Sequence, residues 1–151
     1  MIVRMMHPEE MDNTITLMRY YYQEAADTVE NLGEWDTNSM INSIRQRTIN
    51  PGFAWLNLYE GTRPVGMISG GISTAPWNED IIMATIEMFY VLPTHRNMES
   101  FRSIVRAFEE FAIQCGATSI YVSDMGMNES RTSTLYAQLG YTGATSLVKR
   151  I

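Results

Sequence analysis

The stretch that most limits the fold is residues 81–123, where a strand pattern changes to a helix pattern and back. Residues 81–92, IIMATIEMFYVL, form an apolar, β-rich run typical of a buried strand. After Pro93, apolar residues at helical spacing trace one face: Phe101, Ile104, Val105, Phe108, Phe111 and Ala112. Residues 120–123 are a second strand. Such a strand–helix–strand unit predicts a right-handed crossover in a mixed sheet.

The flanking sequence supplies the other elements. We predict a strand at residues 2–6, a helix starting at Pro8, a second helix at 38–48, and a hairpin with strands at 53–59 and 65–73. Residues 75–80 are predicted to be a loop, 129–138 a helix, and 141–148 one or two final strands. The apolar face of the first helix is predicted to contain Met11, Ile15, Met18, Tyr22 and Ala25.

Length and charge narrow the class of protein. A chain of 151 residues forms one domain with a full core. Its net charge of −6 disfavours a general nucleic-acid binder, which needs a basic surface. We see no apolar run long enough to span a membrane, no signal peptide and no metal-ligand spacing. A single cysteine fits a reducing compartment, so we expect a cytoplasmic protein. Because no metal-ligand spacing is present, we expect no bound metal.

The turn after residue 92 is the predicted ligand site. Ligands in such sheets bind beyond the carboxyl end of a strand, at the N-terminus of the following helix.

Glu87 is the only charged residue between positions 81 and 92. An ionisable group in a central strand is costly to bury unless it is paired or functional. Two alternatives stay open: Glu87 is catalytic or binds substrate, or it is solvated or salt-bridged. Asp124, just after a predicted strand, is a reserve base.

Two segments resemble the GNAT acyltransferase superfamily. In IEMFYVLPTHRNMESFRSIVRAFEEFAIQCGATSIYV, residues 86–122, Val91, Pro93 and Arg96 match the strand–turn–helix pattern of the family. The segment NESRTSTLYAQLGYT is similar to the ending in which Leu-Tyr precedes a Leu-Gly-aromatic motif. The resemblance implies an α/β (α+β) fold with a mixed, mostly antiparallel central sheet flanked by helices, in the order β-α-α-β-β-β-α-β-α-β. It also implies a single domain over residues 1–151.

The resemblance further implies an N-acetyltransferase that uses acetyl-CoA and an amine of a small molecule or protein, and a possible homodimer. Backbone groups near Phe89 and Val91 would pair with the pantetheine arm. The pyrophosphate would be held by Arg96, Asn97, Met98, Glu99, Ser100 and Phe101. Tyr136 would be the general acid and Glu87 the general base, directly or through water. Asn128 would contact the cofactor or cap the last helix.

Glu99 and Phe101 depart from the family pattern, which has small residues there. A carboxylate ~4 Å from a phosphate charge costs about 4 kcal/mol at an effective dielectric of 20. Alternatively, Asn97 caps the helix, Glu99 stabilises its first turn, and Phe101 packs in the core. A non-catalytic GNAT-fold binding or structural protein, such as those of tailed phages, is therefore the alternative function. A nucleic-acid-modifying acyltransferase ranks last, because the basic residues are scattered.

Overall fold

The structure of the protein, a computed structural model, describes residues 1–123, 129–143 and 149. Its sheet contains β1 (Ile2–Met5), β2 (Phe53–Glu60), β3 (Arg63–Ala75), β4 (Asn78–Val91) and β5 (Ser119–Val122), in that spatial order. Neighbouring strands are antiparallel except for the parallel pair β4–β5. The predicted mixed, mostly antiparallel sheet is therefore confirmed.

Helices cover both faces of this sheet. They are α1 (Met11–Ala26), α2 (Thr37–Ile49), α3 (Met98–Gln114) and α4 (Glu129–Gln138). Asn57 on β2 donates a 3.0 Å hydrogen bond to the Thr14 hydroxyl on α1, and α2 packs against both α1 and β2, so this side is called the α1/α2 face. A Cβ at Gly70 on β3 would lie 2.7 Å from Phe108 of α3, which marks the other as the α3 face. The core fills both layers.

Two local predictions are corrected. Residues 75–80 are not a loop, because β3 and β4 continue to a two-residue turn in which Ala75 pairs with Asn78. The charges at the start of β4 lie on exposed strand positions, where they cost little. The buried face of α1 is also rotated: Tyr22 is only half-buried, whereas Tyr21 and Thr14 are buried. Thr14 can be buried there because Asn57 satisfies its hydroxyl.

The structure describes the predicted last helix and only the start of the predicted final strand. α4 occupies the predicted residues 129–138. Residues 141–143 lie outside any helix or strand, and residues 144–148 of the predicted final strand are outside the described ranges. Among the described helices, none is both long and apolar enough to cross a bilayer.

Candidate active site

The site begins where β4 and β5 separate. These parallel strands pair only from Met83↔Ser119 to Ile86↔Val122. Their last contact is a 2.8 Å hydrogen bond from the Ser123 N–H to the Ile86 carbonyl. In the part of the chain that the structure describes, residues 88–91 of β4 pair with β3 alone. This leaves an open edge, and an unpaired edge presents N–H and C=O groups to a ligand.

The register of β3 and β4 shows which backbone groups face the open edge. The Leu92 N–H donates to the Val65 carbonyl at 2.9 Å, so the backbone groups of Leu92 are directed to β3. Because the direction of the backbone groups alternates along a strand, those of Tyr90 and Met88 are also directed to β3. Those of Phe89 and Val91 are directed to the open edge. The groups predicted to pair with pantetheine are therefore directed to this opening. The Val91 carbonyl already accepts a 2.8 Å hydrogen bond from Arg96 Nε.

Glu87 lies at a β-bulge beside the opening. Met88 is opposite Ser69 and Ile86 is opposite Gly70, so Glu87 is the extra residue. Simple alternation predicts that Glu87 shares a face with Phe89, and this prediction is wrong. The bulge directs Glu87 to α2 on the α1/α2 face, whereas Phe89 contacts Phe101 on the α3 face.

The partner of Glu87 is Arg47 of α2. Arg47 donates to Glu87 Oε2 from Nη2 at 3.1 Å and from Nε at 3.3 Å. Its Nη1 donates to the Ser43 hydroxyl and carbonyl one helical turn earlier. The Glu87 and Arg47 side chains are 36% and 25% exposed. Glu87 is therefore salt-bridged, at a position that solvent reaches.

The N-terminus of α3 is capped by its own sequence. The helix starts at Met98, and the Asn97 side chain accepts a 2.8 Å hydrogen bond from the Ser100 N–H. Glu99 lies in the first turn with its side chain exposed. This confirms the capping alternative. The Ser100 hydroxyl is buried and has no hydrogen-bond partner among the described residues.

Phe101 belongs to an aromatic cluster on the α3 face. It is 2% exposed, and its ring centroid lies 5.2 Å from Phe89 and 5.0 Å from Tyr136. Tyr136 is also buried, and its ring lies 5.2 Å from Tyr141. Core packing therefore accounts for Phe101, as the sequence suggested. Tyr136 and Glu87 lie on opposite faces of β4, next to the same open edge.

Arg96 links the end of β4 to α1. Its Nη2 forms a 2.6 Å ion pair with Glu24, and its guanidinium lies 5.4 Å from the Tyr90 ring centroid. Burial, and then the neighbouring Glu24 carboxylate, raise the pKa of the Tyr90 hydroxyl well above its usual value. Two guanidinium nitrogens of Arg96 have protein partners: Nε donates to the Val91 carbonyl and Nη2 pairs with Glu24. These contacts fix the loop that follows β4 against α1.

The remaining site residues divide into those that the structure does not describe and those that the sequence did not reveal. Asp124 and Asn128 lie outside the described residues. Sequence reasoning missed Arg47, Ser43 and Glu24, which come from the two N-terminal helices. Only the Ser43–Arg47 spacing of four residues gave a local signal. Within residues 1–123, 129–143 and 149, no three His, Cys, Asp or Glu side chains could hold a metal ion.

The sequence matches the model of one known protein family. The family model described as the acetyltransferase (GNAT) family matches residues 16–141. No curated protein sequence matches the chain.

Solved structures share the fold at low sequence identity. An aminoglycoside 6'-N-acetyltransferase from Acinetobacter haemolyticus aligns with a TM-score of 0.75 and 18% identity, over 100% of this chain and 97% of that one. A ribosomal-protein-alanine N-acetyltransferase from Brucella melitensis aligns with a TM-score of 0.74 and 13% identity, over 100% of both chains. An aminoglycoside N-acetyltransferase in complex with CoA aligns with a TM-score of 0.79 and 10% identity, over 99% of this chain and 93% of that one. Because the family model spans most of the sequence, the chain belongs to the acetyltransferase (GNAT) family.

Proposed function

We propose that this protein is an N-acetyltransferase that takes the acetyl group of acetyl-CoA and transfers it to an amine. The separation of β4 and β5 after Ile86 carries this proposal. Around that one opening lie the edge-facing backbone of β4, the bulged Glu87 and the N-terminus of α3. The named relatives, which include a CoA complex and transferases for small-molecule and protein amines, support the same reaction class.

The residues at the opening fit the cofactor. Phe89 and Val91 supply strand-edge groups for an amide-containing arm, in the way that an added strand pairs with an edge. The N-terminus of α3 supplies partial positive charge and N–H groups for a pyrophosphate. The buried Ser100 hydroxyl there is a further group that an anion or water could satisfy. Two contacts among the described residues compete with the cofactor: Arg96 Nε donates to the Val91 carbonyl, and the Asn97 side chain accepts from the Ser100 N–H.

Glu99 and Phe101 obstruct this fit less than their side chains suggest. The Phe101 ring is buried against Phe89 and Tyr136, so it does not fill the surface of the loop. The Glu99 side chain is exposed, where water and salt screen its charge. The repulsion of about 4 kcal/mol, which assumes a phosphate at ~4 Å, is therefore an upper bound.

Glu87 has the role of proton acceptor in this proposal. An attacking amine must lose a proton, and a base must reach it directly or through one water. Glu87 Oε2 accepts both hydrogen bonds from Arg47, and Oε1 accepts none from the residues that the structure describes. Oε1 is the oxygen that would receive the proton.

Tyr136 has the role of proton donor. When bound, acetyl-CoA supplies an acyl group that is activated as a thioester, and the sulfur must receive a proton as it departs. The Tyr136 ring packs 6.3 Å from that of Phe89, whose backbone faces the open edge. Its hydroxyl would provide the proton from the α3 face, while Glu87 acts from the α1/α2 face.

Calorimetric titration with acetyl-CoA, with CoA as the control ligand, tests the proposal. We expect both to bind with micromolar dissociation constants, and acetyl-CoA in the presence of an amine acceptor to release free thiol. Absence of binding at millimolar ligand would overturn the proposal.

The second candidate is a GNAT-fold binding protein that no longer uses CoA. The observation in its favour is the self-capped α3, in which Asn97 occupies a hydrogen bond that a phosphate would need. A protein of this kind would show neither CoA binding nor thiol release, and its cleft would serve a different partner.

A further inference from the structure

We propose that the amine acceptor of this site also carries a carboxylate, as α-amino acids do, and that Arg47 binds that carboxylate while Glu87 faces the amine. The inference rests on the proposed function, because it names the class of acceptor for the same opening. It depends on three features of the α1/α2 face: the preorganised Arg47 guanidinium, the charge balance of its pair with Glu87, and a buried hydroxyl on the same face.

Arg47 is held in position before any acceptor arrives. Its Nη1 is fixed by Ser43 on the same helix, and its guanidinium lies 5.9 Å from the Phe53 ring centroid. The two nitrogens that face β4, Nε and Nη2, both donate to the single oxygen Oε2 of Glu87. Guanidinium prefers the two-oxygen, two-nitrogen geometry with a carboxylate. A carboxylate that offers both oxygens would therefore bind these nitrogens better than Glu87 does.

The charge balance of the pair favours an acceptor with both charges. Arg47 neutralises Glu87, so a purely cationic amine meets no net negative charge from the two residues. If such an amine separated the pair, Arg47, which is 25% exposed, would lose its counter-ion. An amino acid instead replaces one ion pair by two: its carboxylate takes the place of Glu87 on Arg47, and its amine faces the freed Glu87. No charge is left unpaired in this exchange.

A buried hydroxyl adds an independent observation. Ser69 on β3 is opposite Met88, next to the bulge, and is fully buried. Its neighbour Gly70 faces α3, so the Ser69 side chain is on the α1/α2 face, as is Glu87. Ser69 Oγ has no hydrogen-bond partner within the described residues. Since buried hydroxyls are usually paired, this one marks a polar position that a water or a substrate group completes.

The experiment measures binding, so that it does not depend on turnover. The twenty proteinogenic α-amino acids are screened against the protein by thermal shift in the presence of CoA. The amino acid with the largest shift is then titrated by calorimetry beside its primary amide and its decarboxylated amine. We expect the amino acid to bind at least about tenfold more tightly than either analogue, because only it can form the charged fork with Arg47.

Variants on α2 assign that preference to Arg47. Arg47→Gln is expected to reduce the affinity for the amino acid to that of its amide, and Arg47→Lys to restore only part of it, since lysine lacks the fork. Arg45→Gln is the matched control, because Arg45 is an exposed arginine on the same helix. It is expected to leave the preference unchanged.

Three results would overturn the inference: no amino acid raises the melting temperature, the amide binds as tightly as the acid, or Arg47→Gln keeps the preference. These outcomes are separable from failure of the transferase proposal. If the protein acetylates amines without regard to a carboxylate, the proposed function stands and this inference falls. If amino acids bind through Arg47 but acetyl-CoA does not bind, the acceptor site stands and the transferase proposal falls.

Discussion

The two faces of β4 satisfy their polar groups in different ways. On the α1/α2 face, Glu87 and Arg47 form a partly exposed ion pair. On the α3 face, Phe89, Phe101 and Tyr136 form a closed apolar cluster. At the start of α3, the Phe101 N–H donates to the Asn97 carbonyl and the Ser100 N–H donates to the Asn97 side chain, whereas the buried Ser100 hydroxyl has no partner among the described residues.

This difference between the two faces predicts on which face the activity depends more strongly on the identity of individual side chains. In the proposed mechanism the α1/α2 face acts through two charged side chains, so single substitutions should abolish its chemistry. In the proposed mechanism the α3 face holds the cofactor through backbone groups and uses one side chain, Tyr136, as proton donor. The side chains of its loop are directed away from the cofactor site: Phe101 into the core and Glu99 into solvent. Substitutions at these two positions relative to the family pattern can therefore be tolerated there.

The largest expected effect is on the α1/α2 face, in Glu87→Gln. Removing a general base typically lowers kcat by about 10²–10⁴-fold. Stability should change little, because partly exposed ion pairs contribute less than about 1 kcal/mol. The release of free thiol from acetyl-CoA, in the presence of an amine that the wild type acetylates, measures kcat. Chemical denaturation measures the free energy of unfolding.

The control for Glu87→Gln is Glu79→Gln, which removes an exposed carboxylate at the start of the same strand. It should leave kcat unchanged. Equal rates for Glu87→Gln and the wild type would remove Glu87 from the chemistry and leave it a structural ion pair.

The next effect concerns the α3 face, in Tyr136→Phe. We expect kcat to fall by about 10²-fold, the lower end of the range for proton transfer, since a thiolate leaves without full protonation. The apolar ring is kept, so the cluster with Phe101 should remain. Tyr141→Phe is the matched control, because Tyr141 is in the same cluster and its hydroxyl donates to Glu109 at 3.2 Å. A similar loss of rate in both variants would indicate a packing effect and exclude the acid role.

Substitution of the adjacent Gly70 and Gly71 by alanine compares how tightly the two faces of β3 are packed. A Cβ at Gly70 would lie 2.0 Å from the Thr85 carbonyl oxygen and 2.7 Å from the Phe108 ring. A Cβ at Gly71, on the opposite face, would lie 2.6 Å from the Phe53 ring. Overpacking costs about 1–3 kcal/mol. We expect Gly70→Ala at or above the upper end, because backbone must move, and Gly71→Ala near the lower end, because a side chain can rotate. Urea denaturation that gives the reverse order would contradict this packing.

The sequence predicted one face better than the other for a physical reason. α3 and its buried face follow from local periodicity, and the Asn97 cap from residue type, so both could be predicted. The bulge at Glu87 depends on how β3 and β4 align, which alternation along one strand does not reveal. Arg47 reaches Glu87 from 40 residues away in the sequence, and only the packed helix brings them together. The family resemblance supplied the site's position, and the tertiary contacts decided its charges.

The smallest effect comes from the helix caps, and it tests whether the α3 face is closed by its own side chain. Asn97→Ala and Asp36→Ala each remove a side-chain oxygen that accepts from the third backbone N–H after it, at 2.8 Å in α3 and 2.9 Å in α2. Both should lower the free energy of unfolding by about 1 kcal/mol. Only Asn97→Ala also frees the Ser100 N–H beside the proposed pyrophosphate site.

Calorimetry with CoA therefore separates the two variants. If the cap competes with the cofactor, Asn97→Ala binds CoA more tightly than Asp36→Ala by about tenfold or more, the equivalent of one hydrogen bond to a charged group. If the Asn97 side chain itself contacts the phosphates, Asn97→Ala binds more weakly. Equal affinities would mean that the pyrophosphate uses other donors than the Ser100 N–H, and the Asn97 cap would then be a structural feature with no part in holding the cofactor.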